Sequence, residues 1–212
     1  MGVPLGELFY ALAHKIQWTY WYWQQFRILY TEKQSRIVLL NAAAPFFFFI
    51  IQRVLFEETV LSVAKMIAPP QSVNRDNLTI LRLPPLITEP DLRLKVTELV
   101  EEAKDRGQLA MQWRHRHLAH FDLMLALGKS ASPLPPISYN EIEDALKAIR
   151  DVLNCVELAK CDNTSLYDFP GSHDAESLLY VLRDALKFRK ERDERLKNRQ
   201  LTVKDFEPDE PL

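Results

Sequence analysis

The chain has 212 residues, 47% of them hydrophobic and 26% charged, which is enough for one substantial core and short for two. Its formal net charge of -2 excludes a globally basic nucleic-acid binder, so any contact with a polyanion has to come from a local patch. The two cysteines, Cys155 and Cys161, lack CxxC spacing, and the start MGVPLGELFYALAHK has neither a basic nor a clean apolar leader region; both point to a reduced, cytoplasmic protein.

Five glycines punctuate the sequence, alternating apolar and polar runs are scarce, and apolar residues recur at three and four. That pattern predicts an all-α chain: a single-domain helical bundle of about five to six helices over residues 1–188, then a charged helical extension and an acidic, disordered tail over 189–212. The first helix is expected from about Leu5 to Tyr30, with an aromatic cluster, Trp18 to Phe26, too rich for a single face. Thr31 is the expected cap of a second helix running through Asn41. Pro45 then suits the first turn of a third helix, where its missing N–H costs nothing.

This third helix is expected to carry Phe46 to Phe49, Ile50, Val54, Leu55, Leu61, Ala64 and Ile67 inward and to end before Pro69. The run LLNAAAPFFFFII, Leu39 to Ile51, is broken by Asn41 and Pro45 and followed by Gln52-Arg53. It falls short of the roughly 18 apolar residues that argue for a span, so it reads as a buried core helix with no membrane partner. From Gln71 to Pro90 the chain holds at most a short helical turn near Leu78 to Leu83, because Pro84-Pro85 stops anything longer.

A fourth helix follows the register Leu92, Val96, Leu99, Ala103, and the same stripe extended past a kink at Gly107 reaches Ala110, Trp113 and His117. After a proline-rich loop, Lys129 to Ile137, Ser138 and Glu141 form a capping box. The helix they open buries Ile142, Ala145, Leu146, Ile149, Val152, Leu153 and Val156 on one face. Asp174 or Ser172 caps a last helix whose expected apolar face is Leu178, Leu179, Leu182, Ala185 and Leu186.

Three of the five histidines stand together in WRHRHLAHFD, Trp113 to Asp122. One reading is an ordinary solvated helix face with His117 as a hydrogen-bonded core residue. A metal site is a second reading, but His115 points to the far side of a straight helix from His117 and His120, no cysteine is near, and two guanidiniums repel a cation. The third is metal-free phosphodiester chemistry: imidazole titrates near neutrality, and guanidinium offers a planar fork matched to phosphate.

The stretch Arg114-His115-Arg116-His117-Leu118-Ala119-His120 resembles the Arg-Asn-x-x-x-Ala-His signature of the HEPN superfamily. With His120-Phe121-Asp122 after it, the stretch more closely resembles the abortive-infection AbiU-like branch. Ala44-Pro45-Phe46-Phe47, Leu61-Ser62-Val63-Ala64-Lys65, Asn77-Leu78-Thr79, and Gly171 before Leu178-Leu179 resemble that branch too.

The resemblance implies a homodimeric bundle with a composite site from two copies of the motif. It also implies endoribonuclease activity on RNA without metal or other cofactor, as a toxin or antiviral effector with an antitoxin as a further partner; other members of the superfamily are non-catalytic. Carried onto this sequence, it makes Arg114, His120 and His115 the catalytic set, with Arg116, Asp122 and His117 contacting substrate. Two departures stand out. His115 replaces the usual asparagine, and on a regular helix Arg114 lies about 120° from His120, whereas Arg116, four residues away, shares its face. The competing reading is a non-catalytic dimeric module whose patch binds RNA, a nucleotide or a protein.

Overall fold

The computed structural model describes residues 1–73, 75–118, 123, 127–129, 134–169, 173–200, 202 and 205. Helix α1 spans Val3–Tyr30, α2 Gln34–Ala43, α3 Pro45–Met66, α4 Pro90–Arg106 and α5 Gln108–Trp113. A π-helical segment, Arg114–Leu118, continues α5; α6 is Tyr139–Cys161 and α7 is Asp174–Lys197. The only strands among the described residues are Gln71–Ser72 and Arg75–Asp76, paired antiparallel. The chain is all-α.

Two compact units share α1 and α3. The first comprises Met1–Gln24 and Arg53–Gly171. Its centre is the packing of α4 on α6. All seven apolar positions read from the α6 periodicity are buried, with Leu146, Ile149, Val152, Leu153 and Val156 fully enclosed. They face Val96, Val100 and Ala103 of α4, which are also buried. Leu12 and Ile16 of α1, Val60 and Val63 of α3, and Ile80, Leu83 and Ile87 of the connecting segment complete this core.

Local chemistry sets the ends of these elements. Ser138 Oγ accepts from the Glu141 N–H while the Glu141 carboxylate accepts from the Ser138 N–H at 2.7 Å, so each satisfies a backbone donor of the other. Asp162 closes α6 in the left-handed region at φ 52°, a conformation short polar side chains tolerate. After the strand pair, the connecting segment forms two 3-10 turns, Ile80–Arg82 and Pro84–Leu86, kept short by the prolines. Thr79 Oγ1 caps the first of these turns and donates to the Met66 carbonyl at the end of α3.

Gly107 separates α4 from α5 where the sequence places a kink. A Cβ there would lie 2.2 Å from Ile67 Cδ1, so any side chain at this position would force the buried Ile67 to move.

The second unit comprises Gln25–Gln52 and Ser172–Leu212, and in it α2 packs on α7. Phe26, Leu29, Tyr30, Leu40, Phe48, Ala175 and Leu179 are its buried apolar residues. The Tyr30 hydroxyl donates to the Phe48 carbonyl at 2.8 Å. Arg36 Nη1 donates to the Ile28 carbonyl at 2.6 Å, which ties α2 back to the end of α1.

Several expectations are corrected. Thr31 does not cap α2; its hydroxyl donates to the Arg27 carbonyl inside α1, and α2 starts later, at Gln34, without a side-chain cap. The aromatic run of α3 is mostly outside: Phe46, Phe47, Phe49, Ile50 and Val54 are exposed, and Phe48 alone of the four phenylalanines is buried. A helix start that is apolar all round can put only one side inward, and the pattern does not say which.

Asp174 is the first residue of α7 rather than its cap; His173 stands at the cap position without a side-chain bond. On α7, Leu179 is buried and Leu182 and Leu186 are half-buried, but Leu178 and Ala185 are exposed. Ser172 as a cap and the tail beyond residue 205 lie outside the described residues.

Candidate functional site

The arginine-histidine tract begins where α5 changes its winding. Arg114–Leu118 is a five-residue π-helix, in which backbone N–H groups reach back five residues instead of four. Each turn then holds more residues and the angular step between neighbouring side chains falls. Such short π segments occur mostly inside α-helices, frequently at functional sites.

Trp113, the last residue of α5, clamps this transition. Its ring meets Phe56 of α3 edge-on at 5.8 Å and His117 edge-on at 5.5 Å. Its Nε1 donates to the Pro135 carbonyl at 2.8 Å, which ties the segment to the loop before α6. The sequence stripe that placed Ala110, Trp113 and His117 on one side is followed: Ala110 is buried, and Trp113 and His117 are half-buried.

His117 leans toward α3. Its Nε2 stands 3.8 Å from Glu57 Oε1, a contact that becomes an ion pair when the imidazole is protonated. The same Glu57 oxygen accepts from Arg53 Nε at 2.7 Å. Residues 53, 56 and 57 share one face of α3, so a single helical stripe supplies an aromatic contact and a carboxylate to the tract, with Arg53 on the same carboxylate. The sequence reading missed all three. Their local signal was the i,i+4 spacing of Arg53 and Glu57; that this pair faces the tract is a long-range fact.

Arg114 and Arg116 are half-buried, and His115 is exposed. The tract therefore presents guanidinium and imidazole groups at the surface, and His117 joins them to α3. His120 and Asp122 lie outside the described residues, so their distances to Arg114, His115, Arg116 and His117 do not enter this description. Among the described residues, no three histidine, cysteine or carboxylate side chains group as a metal-ligand set. No helix among them is long and apolar enough to cross a membrane.

The HEPN AbiU2 family model matches residues 3–188. The chain belongs to the AbiU2 family of HEPN proteins. The match runs from the start of α1 into α7 and contains the tract, so the AbiU2 region covers parts of both compact units. No curated protein and no solved structure matches the chain.

Proposed function

We propose that the chain is a metal-independent endoribonuclease of HEPN type, a toxin or antiviral effector, with a site composed of two copies of the tract at a homodimer interface. The observation that carries this reading is the placement of the tract in an AbiU2 chain: consecutive arginine and histidine side chains on a π segment, at the surface and clamped by Trp113.

In the proposed reaction a base takes the proton from a ribose 2′-OH, the 2′-oxygen attacks phosphorus, and the P–O5′ bond breaks as an acid protonates the leaving oxygen. The products are a 2′,3′-cyclic phosphate and a free 5′-OH. His120 is assigned as general acid/base, so two copies in a dimer supply base and acid together. Arg114 stabilises charge on the phosphoryl oxygens, and His115 orients phosphate or ribose. Arg116, His117 and Asp122 contact substrate. An antitoxin is a further proposed partner, and the cytoplasm the proposed location.

The test is incubation of the purified protein with end-labelled RNA in EDTA. Cleavage leaving 2′,3′-cyclic phosphate ends, abolished in His120→Ala, supports the reading; cleavage that persists unchanged in that variant removes it. His115, which stands where the motif commonly has asparagine, favours a second reading: a non-catalytic dimeric module that binds RNA, a nucleotide or a protein partner. Tight RNA binding without cleavage by the native dimer would select it.

A further inference from the structure

We infer that Arg53, on α3 and outside the motif, is a phosphate-contacting residue of the same surface, so that a bound RNA backbone runs from the π segment onto α3. This inference rests on the RNA-cleaving reading above and names one more residue of its substrate track.

The geometry begins with one oxygen. Glu57 Oε1 receives Arg53 Nε at 2.7 Å and faces His117 Nε2 at 3.8 Å. Two groups from different parts of the chain thus gather around a single atom, and Arg53 stands beside the tract. Glu57 takes Nε, the inner nitrogen of the guanidinium, and thereby orients the fork. The side chain is 56% exposed, which leaves the guanidinium within reach of a ligand from solvent. A planar pair of N–H donors held in place at the surface suits the bidentate approach of a phosphodiester.

The surrounding charge agrees. Arg114, Arg116 and His117 lie on the π segment, and Glu57 is the carboxylate the structure sets against His117 on this side of α3. One carboxylate against the guanidiniums of Arg53, Arg114 and Arg116 leaves the patch cationic. A nucleic-acid backbone is favoured over an acidic peptide because the cations on both elements are guanidiniums, whose planar forks match phosphodiester oxygens.

The experiment uses the full-length protein and a fluorescent, uncleavable 2′-O-methyl oligoribonucleotide, with binding followed by anisotropy across a salt series. Each phosphate contact on a single strand contributes about 0.7 to the slope of log K against log salt. Arg53→Gln should lower the slope by about that amount, and Arg53→Lys should restore it with weaker binding, because the charge returns without the fork. Lys187→Gln on α7, which makes the same change in net charge, should leave the slope where it was.

Circular dichroism of each variant checks that the fold is kept. A native protein that binds and cleaves RNA while Arg53→Gln keeps the native slope overturns the assignment of Arg53 alone. A native protein that neither binds nor cleaves RNA overturns the nuclease reading and this inference with it.

Discussion

Glu57 on α3 and His117 on the π segment, far apart in the chain, face each other at 3.8 Å between Oε1 and Nε2. Trp113 makes the adjoining contact, with Phe56 on one side and His117 on the other. The tract is thus seated against α3 by one carboxylate and one indole, and changing either should loosen it.

The indole is the stronger of the two anchors. Trp113→Ala removes both ring contacts and the bond to the Pro135 carbonyl, and should cost about 2–3 kcal/mol, less than a fully buried tryptophan because the residue is half-buried. Trp113→Phe keeps one aromatic ring and loses the N–H donor together with the second ring of the indole, for a cost of about 1–2 kcal/mol. Urea denaturation of the two variants separates packing from hydrogen bonding; equal losses would show that the ring contacts contribute little.

Gly107→Ala tests the close approach of Ile67. The added methyl would stand 2.2 Å from Cδ1 of a buried isoleucine, so overpacking should cost about 1–3 kcal/mol. Ile67→Val deletes that Cδ1 and alone costs about 1 kcal/mol. The double variant should be more stable than the sum of the two losses predicts, and strict additivity in thermal melts would refute the clash.

The helix that carries the best periodicity also carries the clearest cap. Ser138→Ala removes the side-chain acceptor for the Glu141 N–H and should lower stability by about 1 kcal/mol, measured as a drop in Tm. Ser138→Asp, which keeps an acceptor at the cap, should recover most of the loss.

The Lys160 ammonium donates to both oxygens of Glu89, which holds that carboxyl down from its ordinary 4.5 to about 2. Its folded pKa lies below its unfolded one, so this link contributes stability in full above the ordinary carboxyl range and loses it as pH falls from about 4.5 toward 2. Acid titration of the native chain and Glu89→Gln should give stability curves that diverge above that window and converge below it. Curves that stay parallel throughout would remove the link as a source of pH dependence.

Much of the fold was readable without coordinates because its signals are local. The i,i+3,i+4 spacing from Ile142 to Val156 defines a buried stripe, Ser138 and Glu141 satisfy each other's backbone groups within one turn, and Pro45 suits a first turn wherever the helix goes. The resemblance to HEPN proteins was likewise carried by contiguous residues, and the family match over residues 3–188 bears it out. Caps at Thr31 and Asp174 misread because one hydroxyl had a better acceptor behind it, at Arg27, and the other helix began a residue earlier than a cap at Asp174 required.

The sequence by itself determined the helices, the buried stripe of α6, the kink at Gly107 and the family of the arginine-histidine tract. Tertiary structure alone decided which side of the all-apolar start of α3 turns inward, and that Phe56 and Glu57 meet the tract. It also decided that Arg114–Leu118 winds as a π-helix. Periodicity and capping act within a turn or two of backbone, whereas the choice among equally apolar faces is made by the elements that pack against them.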